Sequence, residues 1–184
     1  LALLQPALTS PTIEKIGHNL KYDISVLRRY DVAVSGPIFD TMLAHYVVDP
    51  VQRHGMDALA RTYLKYEPVS IEALIGPKGK DQGSIADAPL AEVAEYAAED
   101  ADVTLRLYDI LKKKVTDEDA TRALNECENP LINVLVDMEH EGIRIDDVAL
   151  KAFSIRLGAD IERLEAEIYE CAGTEFNIAS PKQL

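Results

Sequence analysis

Ile13-Glu14-Lys15-Ile16-Gly17-His18-Asn19-Leu20-Lys21-Tyr22-Asp23 passes directly from a β-compatible segment into a helix. Ile13 to His18 is short and mixed in polarity and reads as a strand. From Lys21 to Tyr30, the residues Tyr22, Val26, Leu27 and Tyr30 recur at helical spacing. Asp23 falls in the first turn of that helix. A strand feeding a helix is the unit of an open α/β sheet, and such sheets hold ligands at the carboxyl ends of their strands. At that place Asp23 is either a metal ligand or a first-turn acid favoured by the helix dipole.

Upstream, Leu1 to Leu8 reads as the tail of a helix broken at Ser10-Pro11. Downstream, Val32 to Val34 and Ile38-Phe39 are short strand candidates around Gly36-Pro37. Thr41 to Val48 is expected to be a helix with Asp40 as its N-cap. Asp57 to Tyr66 follows as a helix, and Ser70 to Ile75 as a short one stopped by Gly76. Residues 76–83 form a loop by their Gly, Pro and charge content. Leu90 to Val115 is the longest periodic segment of this part.

Thr116-Asp117-Glu118-Asp119 is the expected domain boundary. Beyond it, Ala123 to Glu141 and Asp147 to Ala172 read as helices, with Gly142-Ile143-Arg144-Ile145 a turn and short strand between them. Leu150, Phe153, Leu157, Ile161, Leu164 and Ile168 make one apolar stripe, expected to pack on a neighbour. The fold class is therefore α/β with few strands, followed by an all-helical part. A thin sheet under many helices points to further strands upstream.

A second polar cluster is Tyr96-Ala97-Ala98-Glu99-Asp100-Ala101-Asp102. Tyr96 and Asp100 are four apart and share one helix face. The alanines let that face approach another element closely, where a carboxylate needs a partner or a metal. Alternatively the segment is an ordinary surface helix, with Glu95, Glu99 and Asp102 in water.

The chain of 184 residues carries a net charge of −13, and its densest basic run is Lys112-Lys113-Lys114. That balance argues against a module that grips duplex phosphates along a basic stripe. It is compatible with a site that holds a few nucleotides through metal ions, whose ligands are carboxylates. Cys127 and Cys171 form no CxxC or Cys/His cluster and read as reduced thiols of a cytoplasmic protein. No apolar run is long enough to span a membrane, and no signal peptide is visible. The start at Leu1 and the stop at Leu184, inside what reads as a helix, point to an excised piece.

Taken together, Asn19-x-x-x-Asp23 and, about 70 residues on, Tyr96-x-x-x-Asp100 resemble the second and third motifs of the DEDD exonucleases with a tyrosine in the last motif. Phe39-Asp40-Thr41-Met42-Leu43, the stretch His54 to Ala60 and the Gly79-Lys80 loop resemble the segments between these motifs in the bacterial polymerase I type of family A DNA polymerase. The string Tyr96 to Thr104 is similar to one of the most recognisable of that family. Glu139 to Asp146 resembles the entry to its polymerase domain, and Phe176 to Leu184 the approach to the next thumb helix.

The resemblance implies a ribonuclease H-like 3′→5′ exonuclease fold lacking its first strands, over residues 1–117. An α-helical start of the polymerase domain then occupies residues 118–184. It implies removal of a mispaired nucleotide from a single-stranded primer 3′ end by two divalent metals about 4 Å apart, Mg²⁺ with Mn²⁺ as the alternative. Asp23 and Asp100 are then two of the four metal ligands. Tyr96 orients the attacking water, and Asn19 supports the site from the preceding turn. Ile71 stands where the family can carry an aromatic that stacks on the terminal base, an interaction worth ~1–3 kcal/mol per base.

The other two ligands belong to an Asp-x-Glu on an upstream strand, and none precedes Asn19. Asp137-Met138-Glu139 and Asp160-Ile161-Glu162 match by letter but lie in expected helices, where residues two apart diverge by about 200°. The expected partners are DNA, the rest of a polymerase chain and, to cover a bare sheet edge, a second copy of this chain. A non-catalytic scaffold that has lost its acids is the alternative, and Asp23, Tyr96 and Asp100 speak against it. An RNA-processing exonuclease with the same acids is disfavoured by the stretch from Glu139 to Leu184.

Overall fold

The computed structural model describes residues 1–183; Leu184, the last residue of the stretch likened to the thumb approach, lies outside them. Two compact units emerge, Leu1–Glu141 and a second from Gly142 onward.

In the first unit, α1 (Gln5–Leu8) leads to β1 (Lys15–Gly17), α2 (Leu20–Arg28) and β2 (Ile38–Asp40). The chain continues through α3 (Thr41–Val48), α4 (Met56–Leu59), α5 (Ile71–Ile75), α6 (Leu90–Asp117) and α7 (Asn129–Glu141). β1 and β2 pair in parallel, with Lys15 opposite Ile38, Ile16 opposite Phe39 and Gly17 opposite Asp40. They form a two-stranded sheet among the described residues.

Val32 to Val34, expected as a strand, is irregular. Val32 is buried, so its apolar character serves packing in place of a ladder. The short strand expected within Gly142 to Ile145 is likewise irregular, and both isoleucines are exposed. Two expected helices change their winding partway. After α4 the backbone widens into a π-helical turn, Ala60–Leu64, and another, Ala123–Glu128, precedes α7.

α6 crosses the sheet and α3 with Val103, Leu107, Leu111 and Val115 facing inward, a stripe of residues four apart. These pack with Phe39, Ala44, Leu59 and Leu124 as the main core. A second cluster joins Leu20 and Ile24 of α2 to Ile132 and Val136 of α7. α7, although it lies past the expected boundary at residue 117, is thus part of the first unit. Lys21 pairs with Glu139 and Arg28 with Asp137, so the Asp-x-Glu of α7 is spent on ion pairs with α2.

The second unit is built on α8 (Asp147–Ala172), capped by Asp146, whose Oδ1 accepts from Ala149 N at 2.9 Å. Gly173 ends it in the left-handed conformation, φ 67°. None of the residues of α8 is buried, so the stripe from Leu150 to Ile168 has no partner within this unit.

Candidate active site

Asp40 is the organising polar residue at the sheet's carboxyl end. It is 1% exposed and ends β2. Its Oδ1 accepts from Met42 N at 2.8 Å and Leu43 N at 3.3 Å, the expected N-cap of α3. The same carboxylate also reaches across to the end of β1. Oδ1 accepts from Asn19 N at 3.1 Å and Oδ2 from Leu20 N at 2.7 Å. Asn19 enters α2 in the left-handed conformation, φ 64°, and its side chain makes no cap, so Asp40 supplies the acceptor there. Next to it, Thr41 Oγ1 donates to Gly17 O at 3.0 Å and lies 2.9 Å from His18 Nδ1. Since the hydroxyl proton goes to Gly17, Nδ1–H of His18 donates to Thr41.

This arrangement opens a cleft of about 540 Å³ between the end of β1, the first turn of α2 and α6. Asp23 and Asp100 both line it, together with His18, Met56, Thr104 and Leu105. The two aspartates arrive from distant segments because α6 packs on β1. Burial pushes the Asp23 carboxyl above the usual range, opposed by its own backbone N–H and reinforced by the Asp40 charge. Burial also raises the Asp100 carboxyl; the Tyr96 hydroxyl works against this, and Glu99 and Asp57 add to it. Burial lowers the His18 imidazole, with the Asp40 charge the chief opposing influence. The cleft therefore gathers carboxyls that favour a cation or a proton.

Tyr96 lies one helical turn before Asp100 and lines an adjoining cleft of about 330 Å³ with Val69, Ala73, Leu74, Glu92, Glu95 and Glu99. Burial, then the Asp100 charge, raises its phenol. Glu99 fixes the far wall by accepting from Val69 N at 2.8 Å and from the Tyr66 hydroxyl. Ile71 opens α5 and is 40% exposed, outside both cleft linings. Asn19 lines a third hollow with Lys21, Tyr22, Ser25, Arg29 and Glu139. The structure thus brings Asp23 to Asp100 and Tyr96 beside Asp100, and leaves the Asn19 and Ile71 side chains on other surfaces. Sequence reasoning saw only half of Asp40, because its link to α2 depends on strand register. It also missed His18 and Asp57, whose nearness to the cleft comes from packing.

Among the described residues no group of three or more His, Cys, Asp or Glu is gathered so as to hold a metal ion. Two carboxylates at one cleft do not by themselves fit a two-metal centre.

The family model of the 3′-5′ exonuclease of DNA polymerase A matches residues 1–116, and the chain belongs to that family. Its curated relatives are DNA polymerases I. Those of Pseudomonas aeruginosa and Rhizobium leguminosarum are each 40% identical, over 100% of this chain and 20% and 18% of the relative. That of Chloroflexus aurantiacus is 41% identical over 98% of this chain and 19% of the relative. The chain spans about one fifth of the length of these relatives.

Among solved structures, the polymerase domain of Pol1 from M. smegmatis, in complex with DNA primer-template and dNTP, is similar at a TM-score of 0.79. It is 26% identical, over 98% of this chain and 28% of that one. Brucella melitensis NrnC shares the fold at a TM-score of 0.63 and 21% identity, over 79% of this chain and 67% of that one. The α/β class with few strands, expected for the part before residue 117, is in keeping with this family and with the two short strands among the described residues. In the described residues, no helix is long and apolar enough to cross a membrane.

Proposed function

We propose that this chain carries the proofreading 3′→5′ exonuclease region of a cytoplasmic DNA polymerase I, acting on the single-stranded 3′ end of a primer. The observation that supports it is the convergence of Asp23 and Asp100 on one cleft at the carboxyl end of the sheet. In this reading the two aspartates are half of a four-carboxylate set. The remaining pair comes from strands upstream, as the resemblance implies, and would complete sites for two divalent cations, Mg²⁺ or Mn²⁺. Such cations supply an activated water and stabilise the leaving oxygen. The NrnC structure with bound Mg²⁺, at a TM-score of 0.62, is in keeping with divalent metal use.

Within this chain, Tyr96 holds its hydroxyl beside Asp100, in place to orient a water. Asn19 supports the turn before α2. Ile71 offers an apolar surface to a terminal base where an aromatic would stack. Residues 1–117 are the exonuclease part and 118–184 the opening of the polymerase part, with DNA and the rest of a polymerase chain as partners.

Because the chain's own residues do not complete a metal centre, the 184-residue protein is expected to show little or no nuclease activity alone. Degradation of single-stranded DNA with Mg²⁺ by this chain, at a rate near that of an intact polymerase I, would overturn that. Calorimetric titration with Mg²⁺ and Mn²⁺ tests the half-site itself. Weak binding lost in Asp100→Ala supports it, and equal binding by both proteins removes Asp100 from the site.

A further inference from the structure

We infer that Asp40 is a positioning residue for Asp23, acting through the start of α2, beyond its role as the cap of α3. The inference rests on the reading of Asp23 as a functional group. Four backbone N–H groups converge on one carboxylate that is 1% exposed: Asn19, Leu20, Met42 and Leu43. All four are donors, so the group serves purely as an acceptor. Capping a helix needs one or two of these bonds. The two from Asn19 and Leu20 are surplus to the cap and tie a second helix to the same atom pair.

That second helix begins abruptly. Asn19 is left-handed at φ 64°, an uncommon conformation for a residue with a side chain, and its own side chain makes no cap bond. The first N–H groups of α2 therefore depend on Asp40. Asp23 sits in that turn, three residues past Leu20. Its direction into the cleft is set by where the turn begins. The pairing of Gly17 with Asp40 in the parallel register brings the acceptor to this place. The Leu20 side chain also packs against Gly17 at the end of β1: a Cβ there would meet Leu20 Cδ2 at 2.3 Å. Positioning of a ligand-bearing turn by a buried acceptor is the means by which a site gains rigidity from residues that never touch the ligand.

Asp40→Asn tests the idea in the whole 184-residue chain. Oδ1 has three donors and Oδ2 one, so the asparagine oxygen takes the three-donor side. Its NH₂ then faces Leu20 N–H and breaks that bond alone. Amide hydrogen exchange is read by NMR, residue by residue. The expected result is retained protection at Met42 and Leu43. Exchange at Leu20, Tyr22 and Asp23 becomes faster by about tenfold or more, the factor a lost bond to a charged acceptor gives.

Mn²⁺ relaxation is the second readout: in the variant, broadening at Asp23 falls while that at Asp100 stays. Unchanged exchange in the first turn of α2 overturns the inference. So does a uniform loss of protection across the chain, which marks a merely structural residue. Asp40→Ala is the harsher companion, and if it fails to fold, Asp40→Asn still decides. If Mn²⁺ broadens neither aspartate in the unsubstituted chain, the metal-site reading of the cleft fails, and the exchange measurement alone judges the positioning.

Discussion

Asp23 and Asp100 are held in the cleft at an electrostatic cost. Burial raises both carboxyls above the ordinary aspartate value of 3.8. A group whose folded value is raised takes up protons more readily folded than unfolded, so its ionised form weighs against folding above that range. Removing the charge while keeping the shape should therefore stabilise the protein. Asp100→Asn and Asp23→Asn are each expected to raise the melting temperature at pH 7. A lower value by differential scanning calorimetry would refute the idea that function stores strain here.

The histidines act in the opposite sense and in a different window. Burial depresses His18 and His45 below the ordinary value of 6.5. His45 is 2% exposed, with Nδ1 2.8 Å from His54 Nδ1 and Nε2 3.1 Å from the Tyr63 hydroxyl. Unfolded imidazoles take up protons near 6.5 while these two remain neutral. Stability should fall as pH drops from about 7 through 6.5, levelling once the folded values are passed. Denaturant titrations at pH 7.5 and 6.0 check this. The decline should shrink in a His45→Gln variant.

At the scale of elements, the link between α2 and α7 combines two ion pairs with a small apolar core. The pairs Lys21–Glu139 and Arg28–Asp137 are partly exposed, and pairs of that kind contribute about 0–1 kcal/mol. Leu20, Ile24, Ile132 and Val136 are all buried and carry more. Ile132→Ala is expected to cost about 2–5 kcal/mol by urea unfolding, against under about 1 kcal/mol for Asp137→Ala. Equal effects would place the strength of the link in its charges. The loop before β2 depends on Gly36, at φ 87°, where a Cβ would lie 2.6 Å from Ser10 O. Gly36→Ala should destabilise by roughly 1–3 kcal/mol, measured in the same way.

For the whole molecule, the sheet has two short strands among the described residues, and the apolar stripe of α8 has no partner within its own unit. Surface of this kind drives association. Sedimentation of the 184-residue chain should show a concentration-dependent dimer, weakened by Phe153→Glu with Leu157→Glu. A monomer at every concentration would show that neither surface needs covering.

Local chemistry determined much of this protein from the sequence. The helices Thr41–Val48 and Asp147–Ala172 stand where apolar spacing and their aspartate caps put them, because both signals act within one or two turns. Tyr96 and Asp100 share a face for the same reason. The tertiary structure alone decided which short apolar segments pair. Ile38–Asp40 found β1, whereas Val32 to Val34 buried Val32 without a ladder. Strand pairing is a contact between distant segments, and three residues carry too little pattern to specify a partner. The same contact gave Asp40 its second helix, and the packing of α6 on β1 gave Asp23 its neighbour Asp100.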